Sequence, residues 1–184
     1  NEYKEFIIKG NQKFKPFDYT VEGDYSQSAF FLVANALGND IKLKAMNQFS
    51  YQGDKKIIQD MIDFGCEVTS LDDTLICKCD NLHDATIDFA QSPDLGPALT
   101  VLASVSNGQS NFINAARLRI KECDRITCMR VELEKMGAKI TETPDSMHIT
   151  GVNELKGAVI DSHNDHRVAM AIAMAATIAA GEVK

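Results

Sequence analysis

Lys121, Glu122, Asp124 and Arg125 put two cations and two anions into one short stretch. An apolar pattern follows at once: Ile126, Met129, Leu133 and Met136 recur at three- and four-residue steps. That spacing predicts an amphipathic helix over 121–136, with Lys121 to Arg125 as its first turn. First-turn N–H groups have no intrahelical partner, and the helix dipole makes that end positive. Carboxylates suit such a place, whereas Lys and Arg oppose the dipole, which points to a bound anion. The bland alternative is a solvated, mixed-charge helix start.

Two other stretches carry residues of the same kind. One runs through Asp24, Ser26, Gln27 and Ser28; the other is His163-Asn164-Asp165-His166-Arg167. Ser92-Pro93-Asp94 precedes a further helical pattern. If these helix starts face one cleft, Lys121, Arg125 and Arg167 are its cations, and Arg suits bidentate contact with phosphate or carboxylate. Asp94, Glu122 and His166 are candidates for proton transfer. The set predicts a substrate with two or more anionic groups and a reaction that moves protons. Asp24, Asp94 and Asp165 are equally good helix N-caps, and Glu122 suits a dipole partner.

The elements that would position these residues recur along the chain. Strands are expected at 4–9 and 17–22, a helix at 26–37, a strand at 41–45, a helix opening at Gly53-Asp54 and stopped by Gly65, and strands at 68–70 and 74–79. A second round follows: strand 85–89, a helix opened by Asp94 with Pro97 in its first turn, strand 110–114, helix 121–136 closed by Gly137, and a hairpin of 139–143 with 147–150. A third round begins with strand 158–161 and helix 165–180. Asp24, Asp94 and Asp165 recur about 70 residues apart, each at a strand-to-helix junction. The fold class is therefore α/β (α+β), built from a strand-helix-strand-helix-strand-strand unit whose helix N-termini converge on one region.

Bulk properties narrow the function classes. The chain has 184 residues, a formal net charge of −7 and no long basic run, which argues against a nucleic-acid partner. Its 45% hydrophobic and 24% charged content is that of a soluble globular chain, and no apolar run reaches membrane-spanning length. Five cysteines and no secretory leader predict reduced thiols in a cytoplasmic protein. Cys77 and Cys79 face the same way on a strand but lack a second ligand pair, so no metal site is expected. No P-loop, dinucleotide glycine motif or nucleophile elbow is present.

Two long motifs carry a specific resemblance. Arg117-Leu118-Arg119-Ile120-Lys121-Glu122-Cys123-Asp124-Arg125 and Asn164-Asp165-His166-Arg167-Val168-Ala169-Met170 resemble the 5-enolpyruvylshikimate-3-phosphate synthase family, and Val21 to Ser26 and Ser92-Pro93-Asp94 agree in order and spacing. The likeness covers the whole chain and corresponds to the later part of the family's sequence. It implies the inside-out α/β barrel of the enolpyruvyl transferases, here incomplete. Residues 1–70 would be the last unit of a first domain, and 71–184 most of a second without its C-terminal tail.

The implied reaction transfers the carboxyvinyl group of phosphoenolpyruvate to the 5-hydroxyl of shikimate 3-phosphate and releases phosphate, with no metal or organic cofactor. The complete protein would be monomeric, and this chain alone inactive or nearly so. By residue, Asp94 matches the acceptor of the hydroxyl proton and Glu122 the group that protonates the methylene carbon. Lys121 matches a lysine at the substrate junction. Arg125 and Arg167 match arginines that hold phosphoenolpyruvate, with His166 beside them. Ser26 lies in the segment that touches the shikimate phosphate, and Gln27 stands where many members have Ser. UDP-N-acetylglucosamine enolpyruvyl transferase shares the implied fold and donor, and a non-catalytic anion-binding module is the reading from another class.

Overall fold

The computed structural model describes residues 4–184. Five α-helices and six strands are formed among them: α1 (Tyr25–Ala36), α2 (Ile57–Asp63), β1 (Glu67–Leu71), β2 (Thr74–Lys78), β3 (Thr86–Asp88), α3 (Gly96–Val105), β4 (Gln109–Ile113), α4 (Arg125–Lys135), β5 (Lys139–Thr143), β6 (Ser146–Thr150) and α5 (His166–Ala176). Short 3-10 turns lead into three helices: Gly53–Lys56 before α2, Pro93–Leu95 before α3 and Ala116–Ile120 ahead of α4. The stretch β3-α3-β4-α4-β5-β6 is one whole copy of the repeat expected from the sequence.

Two open sheets result. β1 and β2 form an antiparallel hairpin; the second sheet has the order β3-β4-β6-β5, with β3 parallel to β4 and the other pairs antiparallel. Neither sheet closes into a barrel. α3 lies at the centre. Gly96 through Ser104 are all buried, as its nearly polar-free sequence requires, since a helix apolar on every side has no face for water. α1, α4 and α5 pack around it, and β6 lies against it as well. Buried residues from Tyr25 to Ala175 make one continuous core, so the first 70 residues and the remainder share their apolar interior. Phe89 and Phe112 meet edge to face inside it, 4.9 Å between ring centroids.

Several expected elements take another form. The stretches 4–9 and 17–22 are not strands; residues 4–21 are exposed, with Phe6, Ile7, Ile8, Phe14, Phe17, Tyr19 and Val21 each at least 71% exposed. A lone pair of apolar strands has too little to bury to hold a ladder together. The 41–45 strand shrinks to one bridge, Leu43 with Leu75. The 158–161 strand is replaced by two backbone hydrogen bonds to Lys184, from Ile160 N–H and to Ala158 O. The most consequential change is at α4. It begins at Arg125, and Asp124 is its N-cap, accepting from Thr127 N–H at 3.2 Å. Lys121 to Asp124 are therefore a non-helical approach rather than a first turn. The helix expected to run to 180 likewise stops at Ala176.

Gly65 and Gly137 close α2 and α4 with φ of +86° and +94°, a conformation in which a Cβ is strained. At Gly65 a Cβ would also stand 2.4 Å from Asn81 O.

Candidate active site

Four helix starts deliver the polar side chains to one place. Asp24 caps α1, accepting from Ser26 N–H at 2.8 Å and Gln27 N–H at 3.2 Å. Asp165 caps α5, accepting from Arg167 N–H at 2.8 Å. Asp94 behaves differently: it sits inside the 3-10 turn before α3, and no side-chain cap is made there. Pro93 in that turn has no N–H to leave unsatisfied, and Pro97 stands at the start of α3 where its ring is tolerated. Asp94 is thus free to point outward.

What it meets is a ring of cations. Lys121 Nζ lies 2.8 Å from Asp94 Oδ1, Arg125 Nη1 2.9 Å from the same oxygen, and Arg167 Nη2 3.5 Å from Oδ2. Burial pushes the Asp94 carboxyl up. The Lys121 hydrogen bond and the Arg167, Lys121 and Arg125 charges outweigh that and hold it below the usual carboxylate range.

Arg125 is the hub, with its side chain only 1% exposed. Its Nε donates to Asp165 Oδ2 at 2.8 Å, Nη2 to Glu122 Oε2 at 2.6 Å, and Nη1 to Asp94. Desolvation opposes its charge, but the hydrogen bond and charge of Asp165, with Glu122 and Asp94, raise its pKa above the ordinary arginine value. Arg167 bridges to the first repeat: Nη2 donates to Ser26 Oγ at 3.0 Å and Nη1 approaches Asp94 O at 3.4 Å. Glu122 and His166 lie at the open side, 47% and 55% exposed, with Glu122 Oε1 3.9 Å from His166 Nδ1.

The structure thus brings Ser26, Asp94, Lys121, Glu122, Arg125, His166 and Arg167 together. Gln27 is beside Ser26 in the first turn of α1, tied in through its backbone N–H. Asp165, read from the sequence as a cap, is also the buried counter-ion of Arg125, with its side chain 0% exposed. Sequence reasoning passed over Asp54, in the turn before α2. It feels the charges of Asp94, Arg167, Asp24 and Lys121, and burial followed by the Asp94 charge raises its pKa. Gly53-Asp54 reads in sequence only as a helix opening; the clue was its place at a further helix start. Among the described residues no group of three His, Cys, Asp or Glu side chains could hold a metal ion.

Chemically, three fixed cations with a carboxylate held ionised among them and a second carboxylate at the rim can bind a polyanion and move protons beside it. The model of the EPSP synthase (3-phosphoshikimate 1-carboxyvinyltransferase) family matches residues 1–184, and the chain belongs to that family. The 3-phosphoshikimate 1-carboxyvinyltransferase of Clostridium novyi (strain NT) is 51% identical over 175 residues, 95% of this chain and 40% of that protein. Its counterpart in Clostridium perfringens (strain SM101 / Type A) is 46% identical over 184 residues, 100% of this chain and 43% of that protein. An EPSP synthase structure from Acinetobacter baumannii superposes with a TM-score of 0.76 at 30% identity, covering 89% of this chain and 41% of that one. The chain therefore spans about two fifths of the length of the curated relatives it matches.

Proposed function

We propose that the whole protein transfers the enolpyruvyl group of phosphoenolpyruvate to the 5-hydroxyl of shikimate 3-phosphate, releasing phosphate. The observation that carries this reading is Asp94 held by Lys121, Arg125 and Arg167 with Glu122 alongside, in a chain of the EPSP synthase family. Asp94 takes the hydroxyl proton as the oxygen attacks C2 of the donor. Glu122 delivers a proton to its methylene carbon. The resulting tetrahedral intermediate collapses when the methyl group returns a proton and the C2–O bond to phosphate breaks. Arg125, Arg167 and Lys121 balance the charge of the donor and of the departing phosphate, with His166 at their edge. Ser26 and Gln27 stand on the side of the acceptor's phosphate.

The reading includes small-molecule substrates, a monomeric whole protein in the cytoplasm, no cofactor and no nucleic-acid partner. The net charge of −7 supports the last point, and among the described residues no helix is long and apolar enough to cross a membrane. For domain organisation we propose that 1–70 are the last repeat unit of a first domain and 71–184 most of a second. Their recurring helix starts support the units, and their shared core requires any such division to keep α1 against α3 and α5.

The test is phosphate release from phosphoenolpyruvate by the whole protein. Release that needs shikimate 3-phosphate, and that falls by about 10²-fold or more in Asp94→Asn and Glu122→Gln, is the expected result. Release only with UDP-N-acetylglucosamine would move the activity to the other enolpyruvyl acceptor. Full activity in both variants would refute the assigned roles.

A further inference from the structure

The loop 161–165 has an unusual backbone. His163 and Asn164, neither of them glycine, stand at φ of +52° and +56°, a region that costs of order 1 kcal/mol or more per residue and persists only where the surroundings enforce it. The loop ends in Asp165, which ties down Arg125, and continues into His166 and Arg167. Its shape therefore decides where three residues of the proposed site lie.

One buried carboxylate enforces that shape. Glu132, on α4, has a side chain only 1% exposed. Its Oε1 pairs with His163 Nε2 at 2.8 Å, and its Oε2 accepts from Asp161 N–H at 3.0 Å and Lys135 Nζ at 2.6 Å. Burial works against its charge. Lys135, the Asp161 N–H and His163 outweigh that and leave its pKa below the ordinary glutamate value. Asp161 Oδ1 then accepts from His163 N–H at 2.7 Å, and Asp165 N–H donates to Ser162 O at 3.0 Å. α4 thus grips the loop twice. Arg125 holds Asp165 at its first turn, and Glu132 holds His163 and Asp161 about two turns further along.

We propose that Glu132, acting through His163, is a positioning residue for the anion site: it sets the left-handed turn that aims Asp165, His166 and Arg167. Neither residue touches the reacting groups. Their effect falls on donor affinity, because Arg167 and the Arg125–Asp165 pair are what the loop displaces. This rests on the transferase reading given above.

The experiment uses the whole protein and the variants His163→Asn, Glu132→Gln and Lys135→Met. Asn tolerates the left-handed backbone but cannot reach Glu132, so H163N separates the latch from local strain. It also alters a side chain that is 32% exposed, which keeps the test alive if E132Q fails to fold. In H163N, amide exchange at Arg167 should accelerate, and KM for phosphoenolpyruvate should rise about tenfold with kcat changed far less, as loss of one charge-assisted hydrogen bond implies. K135M, which removes a partner of Glu132 outside the loop and leaves its bonds to His163 and Asp161, should raise KM less than H163N does, and an equal or larger rise would overturn the route through His163. Unchanged exchange at Arg167 in H163N overturns the proposal. So does faster exchange with an unchanged KM, the mark of a merely structural contact. If the parent protein does not turn over the two substrates, the transferase reading fails separately, and calorimetry with inorganic phosphate decides the latch. Binding about tenfold weaker in H163N upholds it; equal binding, or none to the parent, overturns it.

Discussion

Replacing Asp165 by Asn separates two jobs that one side chain performs. Asn caps a helix about as well as Asp, so the bond to Arg167 N–H survives, while the charge opposite Arg125 disappears. The Asp165–Arg125 pair is buried on both sides, at 0% and 1% exposure. Removing one partner of a buried pair costs about 3–5 kcal/mol. Arg125 retains Asp94 and Glu122, which are partly exposed and offset some of that loss. The expected cost is therefore near the lower end, about 3 kcal/mol, or a melting temperature lower by about 6–12 °C for a chain of this size.

Urea unfolding followed by circular dichroism measures it, with Asp165→Ala, which also lacks the cap, falling about 1 kcal/mol further. Acid supplies a second check. Burial raises the Asp165 carboxyl, but the Arg125 hydrogen bond, the Arg167 N–H and the Arg125 charge outweigh it and leave its pKa lowered. A carboxyl with a depressed folded pKa stabilises the fold above its unfolded pKa, and the benefit is lost as pH falls through the folded value. The gap between parent and D165N should therefore be full above about pH 4–5 and close in stronger acid. A D165N protein within about 1 kcal/mol of the parent at pH 7 would refute the view of Arg125 as a hub that depends on this counter-ion.

Asp60 should show the opposite pH sign. Its carboxyl is buried, pairs with Lys56, and is pushed up to about 6 chiefly by burial, with Oδ2 lacking a hydrogen-bond partner among the described residues. The folded state then holds the proton more tightly than the unfolded chain, so this group's contribution declines as pH rises from about 4 to about 6. Asp60→Asn should remove that slope and gain up to about 3 kcal/mol relative to the parent above pH 6; equal pH slopes in denaturant titrations would rule this out. Gly65→Ala should lose more than about 1 kcal/mol in the same titration, since φ of +86° and the nearby Asn81 carbonyl both oppose a Cβ. A neutral result would mean that the turn after α2 yields easily.

The parts of this fold that sequence made legible are those with a local cause. Gly65 and Gly137 close their helices because only glycine adopts the terminating conformation cheaply. α3 reads directly from the mostly apolar run between Asp94 and Gly108. The 139–150 hairpin follows from its turn at Pro144-Asp145. The failures share a different cause. A strand is a relation between two segments, and the runs at 4–9, 17–22, 41–45 and 158–161 have β-like composition without a ladder to join. The start of α4 was misjudged because Asp124 suits a first turn as well as a cap, so 121–124 read as helix when they precede it. At the site, residue types and helix starts foretold the gathering of Asp94, Lys121, Arg125 and Arg167. Glu132 stayed hidden because a glutamate in the middle of an amphipathic helix normally faces water, and only the returning loop shows that this one is buried.

The ion pairs around Asp94 carry one further consequence. Lys121, Arg125 and Arg167 are balanced by Asp94, Glu122 and Asp165, so the cluster is close to neutral by itself. An arriving polyanion has to compete with those carboxylates for the same donors. As Lys121 and Arg167 turn toward it, Asp94 loses charges that hold its carboxyl down and gains a negative neighbour, and its proton affinity rises. Ligand binding is thereby coupled to proton uptake. The heat of binding should change with the ionisation enthalpy of the buffer, and affinity should strengthen as pH falls toward the carboxylate range. On the proposed reading the ligand itself tunes the base: Asp94 is held as a weak, ionised carboxylate until the arriving anion loosens its partners.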